Sequence, residues 1–198
     1  MIILIDPSIE YINVPEMEFV YSIICNAASN CYQSEPKNSE RLVKKIVDNG
    51  HHSVLEHIKV TFAFICDRAV SHEVVRHRIG VSYSQESQRY VGYRKDLSIV
   101  KPYWFDQSSD NVQKEFLNAC LFAHDHYKKM IYNGLPPEAA RGILPNATAT
   151  KIIISMNLRA LMHFIKIRGS NRAHPDIRWF SNRLKEYFSC KYPVIFNQ

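Results

Sequence analysis

The chain has 198 residues and a mass of 23.1 kDa, with 46% apolar and 22% charged residues. These are ordinary globular values, and they exclude wholesale disorder and collagen-like repeats. The 25 basic residues against 19 acidic give a net charge of +6, which favours a negatively charged partner. Twelve of the basic residues are Arg, the side chain suited to two-pronged recognition of phosphate or carboxylate.

No apolar run reaches the ~20 residues of a membrane-spanning helix, and the N-terminus lacks the basic lead and cleavage site of a secretory signal. Cysteines at 25, 31, 66, 120 and 190 are odd in number and show no CxxC spacing. A disulfide framework or a cysteine zinc site is therefore not expected, and a reducing cytoplasm fits. GxGxxG and GxxxxGK[ST] are both absent. There is no internal repeat or linker, so a single domain over residues 1–198 is expected.

In chain order, residues 1–14 read as strand with a turn at Asp6-Pro7. Residues 16–32 carry a helical stripe of Phe19, Val20, Ile23, Ile24 and Ala27. Residues 39–49 form a second helix with Leu42, Val43 and Ile46 inward, closed by Gly50. Residues 58–66 alternate with period two, placing Ile58, Val60, Phe62, Phe64 and Cys66 on one buried face. Residues 71–77 are a short helix, and 110–132 a long one with Val112, Phe116, Cys120, Ala123, Tyr127 and Ile131 at helical spacing. Pro136-Pro137 opens another short helix. Residues 147–156 read as strand, 157–167 as helix, and 174–188 as the last helix. Long helices with a few strands that do not strictly alternate indicate an α/β fold of the α+β type.

Four segments carry chemistry. Residues 76–90 hold Arg76, His77, Arg78 and Arg89 among Ser82, Ser84, Gln85, Glu86, Ser87 and Gln88, with almost no core alternation. This is either a solvated basic loop or an anion site. Residues 50–57 hold His51, His52, His57 and Glu56, but in no HExxH or facial-triad spacing, so the expected metal set is none. The plainer reading is a helix start capped by Ser53, with Glu56 completing a capping box. The third segment centres on Arg141 in an Ala-Arg-Gly-Ile-Leu-Pro run. In the fourth, Leu158, Leu161, Met162 and Ile165 make a core stripe. Arg159, His163 and Lys166 make a polar strip opposite, and Ala160, Phe164 and Ile167 add an apolar flank that asks for burial against another helix or subunit.

Taken together and in this order, the segments resemble the flavin-dependent thymidylate synthases, the thymidylate synthase complementing protein family. The resemblance rests on Arg76-His77-Arg78 followed by Ser82, Ser87 and Arg89, on the Gly50–His57 element, on Ala140–Pro145, and on Asn157, Arg159 and Arg168. The chain departs in carrying three residues, Ile79-Gly80-Val81, between Arg78 and Ser82 where the pattern has two. It also has Gln85, Glu73 and His163 where some relatives have Glu, Gln and Asn.

The resemblance implies a central, largely antiparallel sheet flanked by helices, assembled as a homotetramer. It implies conversion of dUMP to dTMP, with 5,10-methylenetetrahydrofolate as carbon donor and NADPH as reductant through FAD. Nucleic acid and membrane are not expected partners. Arg168 is the implied catalytic residue, beside the uracil. His51, Ser53, Arg76, His77, Arg78, Gln85, Asn157, Arg159 and His163 are the implied FAD contacts. Glu73, Arg76, Gln85, Glu86, Ser87, Gln88, Arg89, Arg141 and Arg168 are the implied dUMP contacts. A dUMP hydroxymethylase of the same family and a basic nucleic-acid-binding module are the alternative readings.

Overall fold

The computed structural model describes residues 1–32 and 38–197, leaving out the side chains of residues 31 and 32. It is mixed α/β. A four-stranded antiparallel sheet has the order β2 (Ser8–Asn13), β3 (Lys59–Asp67), β6 (Ala149–Asn157), β4 (Val81–Gln85). A separate two-stranded sheet pairs β1 (Ile2–Ile5) with β5 (Leu97–Val100) in parallel, Ile2 opposite Leu97 and Ile5 opposite Val100. Packing divides the chain into two units.

The first unit comprises Met1–Ile9, Ala63–Val75 and Ser84–Ile153. Its core gathers Leu97 and Ile99 from β5, Tyr93, Ala140, and Cys120 and Tyr127 from the long helix α4 (Asp110–Tyr132), with Ile2 and Leu4 of β1 against it. The stripe expected on α4 meets this core at Phe116, Cys120, Tyr127 and Ile131; Val112 is about half exposed instead, and His124 joins fully buried. The short helix α3 runs Arg68–Val74, three residues earlier than expected, because the Asp67 carboxylate accepts from Val70 N at 2.6 Å and starts it there. Helix α5 (Pro137–Ala140) opens at the proline pair as expected. Strand β5 has no counterpart among the expected elements.

The second unit comprises Glu10–Phe62, Arg76–Tyr83 and Ile154–Gln198. Here α1 (Met17–Tyr32) buries Val20, Tyr21, Ile24, Cys25 and Ala28, one position round from the expected stripe, and Phe19 faces out. Helix α2 (Ser39–Asp48) buries Val43, Ile46 and Val47, and Gly50 follows it at φ +72°. Helix α6 (Leu158–Arg168) buries Leu158, Leu161 and Phe164 and packs against α7 (Pro175–Lys191) and the turn at residues 52–57, while α8 (Pro193–Phe196) packs on α7 and α2. Phe164, expected on a flank buried against another helix or subunit, is covered by a helix of its own chain, while Met162 and Ile165 are only partly buried.

Residues 52–57 form a 3₁₀ helix rather than the start of an α-helix. The tighter winding leaves Ser53 inside the turn and exposed, so it caps nothing, and the residue in the capping position, His51, makes no side-chain capping bond. Glu56 closes no capping box and reaches Arg159 instead.

Candidate active site

In the second unit the site is built on α6. The strand β6 ends at Asn157, whose side-chain oxygen accepts from Ala160 N at 2.8 Å and caps the helix. Asn157 is itself buried, and its backbone N–H donates to Gly80 O at 3.0 Å. Gly80 has φ +71° and lies so close that an added Cβ would fall 2.9 Å from Asn157 Cγ. From this fixed start, Arg159, His163 and Lys166 follow at positions i, i+4 and i+7, on one face.

That face lines a cavity of about 730 Å³, together with His52, Met162 and Lys185. No carboxylate is among the described residues lining it. Arg159 also meets Glu56, Nη1 to Oε1, at 2.5 Å. His52 of the 3₁₀ helix, not its neighbour His51, is the histidine at the cavity, with Nε2 3.2 Å from Val47 O. Lys185 of α7 joins them without a sequence signal of its own. Lys166 belongs to the polar strip of the sequence, and the family resemblance implies no role for it.

At the other end of α6, Arg168 Nε donates to His77 Nε2 at 3.0 Å. The His77 ring meets Phe164 edge-on at 4.9 Å between centroids and lies 6.0 Å from His163. Its backbone carbonyl accepts from Tyr83 Oη at 2.6 Å. Burial, then the Arg168 cation, then His163, push the His77 imidazolium down to about 4, so the ring is neutral near pH 7. Burial raises the Tyr83 phenol to about 12, against the pull of Arg168. The flanking Arg76 and Arg78 are exposed.

In the first unit, the loop after β4 makes a tight turn. Ser87 O accepts from Tyr90 N and Val91 N at 3.1 and 2.9 Å, and Ser87 Oγ accepts from Arg89 N at 3.3 Å. Arg89 Nε meets Glu138 Oε2 at 3.3 Å, with both side chains about half exposed, and its guanidinium covers the Tyr90 ring. Gln88 and Arg141 line a recess of about 370 Å³ with Arg68, His72 and the 142–146 turn. Arg68 and His72 had not been expected there; the Asp67 cap that aims α3 is the signal that places them.

Gln85 is held in the framework: its amide donates to Ser71 Oγ at 2.9 Å and to Thr150 Oγ1 at 3.3 Å. Glu86 accepts from Tyr93 Oη at 3.2 Å. Glu73 lies on α3, partly buried. Among the described residues no three His, Cys, Asp or Glu side chains gather as a metal site. Nor, among the described residues, is any helix long and apolar enough to cross a membrane.

These clusters hold the residue types of the four sequence segments, and comparison with known proteins gives them a family. The profile of a family described as thymidylate synthase complementing protein matches residues 16–194. The chain belongs to that family. Among similar members, a flavin-dependent thymidylate synthase of Geobacter sulfurreducens is 42% identical over 154 residues, covering 77% of this chain and 66% of that protein. One of Mycobacterium tuberculosis is 34% identical over 191 residues, covering 86% and 76%. One of Pyrococcus furiosus is 37% identical over 143 residues, covering 70% and 58%. The matched stretch thus spans about three fifths to three quarters of its relatives' lengths.

Proposed function

We propose that this chain acts as one thymidylate synthase domain that binds FAD and dUMP and makes dTMP, with 5,10-methylenetetrahydrofolate as carbon donor and NADPH as reductant. The observation that carries the reading is the helix α6: a cationic face on a large cavity, ending in an arginine held by a neutral histidine, within this family. The cavity's volume lies in the ordinary range for cofactor sites. Its lining of Arg159, His163, Lys166 and Lys185, with no carboxylate among the described residues, suits a ligand bearing a pyrophosphate. FAD, when bound, supplies the hydride transfer that no side chain can perform.

The chain's own residues bind and stabilise. Arg159, Lys166 and Lys185 balance the charge of the pyrophosphate, with His51, Ser53, Arg76, His77, Arg78, Asn157 and His163 completing the flavin surroundings. Arg141, Arg89, Ser87 and the Gln88 backbone hold the nucleotide phosphate. Gln85, Glu86 and Glu73 act from the framework around it; Gln85 and Glu86 already carry hydrogen bonds of their own. Arg168 stabilises negative charge that builds on the uracil ring, as a fixed donor placed where charge develops. No cysteine is needed as nucleophile: burial raises the thiols of Cys25, Cys66 and Cys120, which keeps them protonated.

The working form is a homotetramer in the cytoplasm. In support, α4 leaves the neighbouring Leu121 and Phe122 exposed, Phe122 at 64%, apolar side chains that another chain would cover.

The test is methylation of dUMP by the purified, yellow protein with and without NADPH. The Arg168→Ala variant should lose on the order of 10²–10³ in turnover while keeping its flavin. A colourless protein without methylation activity, or an Arg168→Ala variant at full rate, would overturn the reading.

A further inference from the structure

An arginine that stabilises developing negative charge faces two opposing demands. It must be held still, and its charge must not be spent on the group that holds it. A carboxylate partner would meet the first and defeat the second, because it would neutralise the guanidinium in the resting state. At the end of α6 the Arg168 Nε–H is held by an imidazole, which as a holding group brings no charge of its own. Arginine is a permanent donor and carries no acceptor, so His77 Nε2 must present its lone pair and the ring proton must sit on Nδ1. The ring is set by its edge contact with Phe164, and its backbone by the Tyr83 hydroxyl.

We propose that His77 is a positioning residue for Arg168: its neutral imidazole accepts the Arg168 Nε–H and fixes the plane of the guanidinium without cancelling its charge. Extending the role of Arg168 proposed above, this gives the middle residue of the Arg76-His77-Arg78 run a task toward the nucleotide, beside any contact with the flavin. Among the described residues, the ionisable groups facing His77 are Arg168 and His163 of α6, with the Tyr83 phenol on its backbone. The two on α6 disfavour a second proton on the ring, and so does its burial. The bond is therefore present through the neutral range and is lost only as pH falls towards 4.

Two measurements test this on the whole flavoprotein. The first is nitrogen NMR of the histidines, with His77 assigned by its loss in His77→Gln. The expected signature is an unprotonated Nε2 and a protonated Nδ1 at pH 7, with an apparent pKa that rises in Arg168→Met. A His77 ring protonated on Nε2 at pH 7 overturns the proposal, whatever reaction the protein catalyses. The second is kinetic. His77→Phe keeps a ring against Phe164 but removes the acceptor, and should lower kcat for dTMP formation by about ten- to a hundredfold, as a small misplacement of a reacting group does. His77→Gln restores an uncharged acceptor and should recover most of the rate. His77→Glu restores an acceptor but adds a negative charge, and should not. Melting temperatures recorded alongside separate folding from chemistry. Equal rates for the Gln and Glu variants, or an unimpaired Phe variant, would refute the proposal. If the protein makes no dTMP, only the kinetic arm and the functional reading fall, and the NMR result still decides the His77–Arg168 pair.

Discussion

Replacing Gly80 by Ala tests the construction of α6 at one atom. Gly80 has φ +71°, in the left-handed region, where any other residue pays about 1–2 kcal/mol. The new Cβ would also stand 2.9 Å from Asn157 Cγ and 3.1 Å from Asn157 Oδ1. Contacts that short do not persist, so the Asn157 side chain must turn away. Its 2.8 Å bond to Ala160 N then breaks, and the helix loses its cap, at about 1 kcal/mol. The two effects together cost about 2–3 kcal/mol, or about 4–12 °C in melting temperature for a chain of this size.

Asn157→Ala alone loses only the cap, about 1 kcal/mol. In the double variant the obstacle is gone and the cap is lost once, so its cost falls below the sum of the singles by about 1 kcal/mol. Denaturant unfolding of the four proteins measures this coupling directly. Additivity within about 0.3–0.5 kcal/mol would refute the reasoning, since it would mean that Gly80 and Asn157 do not constrain one another.

Two further outcomes follow from other parts of the structure. His77 and His124 are both held below the ordinary histidine value by burial, His77 down to about 4. Folded, they take up protons less readily than the unfolded chain does, so stability is fully present above about pH 6.5 and declines as pH falls from there towards 4. His124→Gln, which can keep the donation to Tyr93 O, should flatten part of that acid decline in a series of thermal melts. The Glu56–Arg159 pair is about half exposed, so Glu56→Gln should change stability by less than about 1 kcal/mol. By releasing Arg159 it should tighten flavin binding, read by quenching of flavin fluorescence; weaker binding would show that Glu56 orients Arg159 rather than competing for it.

What was legible in the sequence was local. The break between strands at Asp6-Pro7, the alternation into Cys66 and the span of α4 are each set by residues within a few positions of one another. What was not legible depended on distant partners. Strand β4 shows no apolar alternation because its residues are all partly or fully exposed, and its place comes from pairing with β6. Strand β5 is four residues long and finds its parallel partner at the other end of its unit's sequence, Leu97 opposite Ile2. Tyr21 is buried and Phe19 exposed although both are large aromatics, because α1 is turned by its neighbours rather than by its own stripe.

The site divides in the same way. The residue types were readable from the four segments, and Arg159 and His163 shared a face by spacing alone. The contact between His77 and Arg168 joins residues 91 positions apart, and nothing in either segment announces it. His52 displaced His51 at the cavity because the segment winds as a 3₁₀ helix, a choice that no spacing rule predicts.

The strands β3 and β6 share a device: each ends on the residue that caps the next helix, Asp67 for α3 and Asn157 for α6. With no linker, such a joint has no slack. Inserting one residue after Asn157 would turn α6 by about 100° about its axis. Arg159, His163 and Lys166 would then leave the cavity together, and Arg168 would leave His77. Side chains along α6 can be exchanged one at a time, but its length and phase cannot drift. Changes in chain length are admitted instead at places such as Gly134, where the turn after α4 has open space around it.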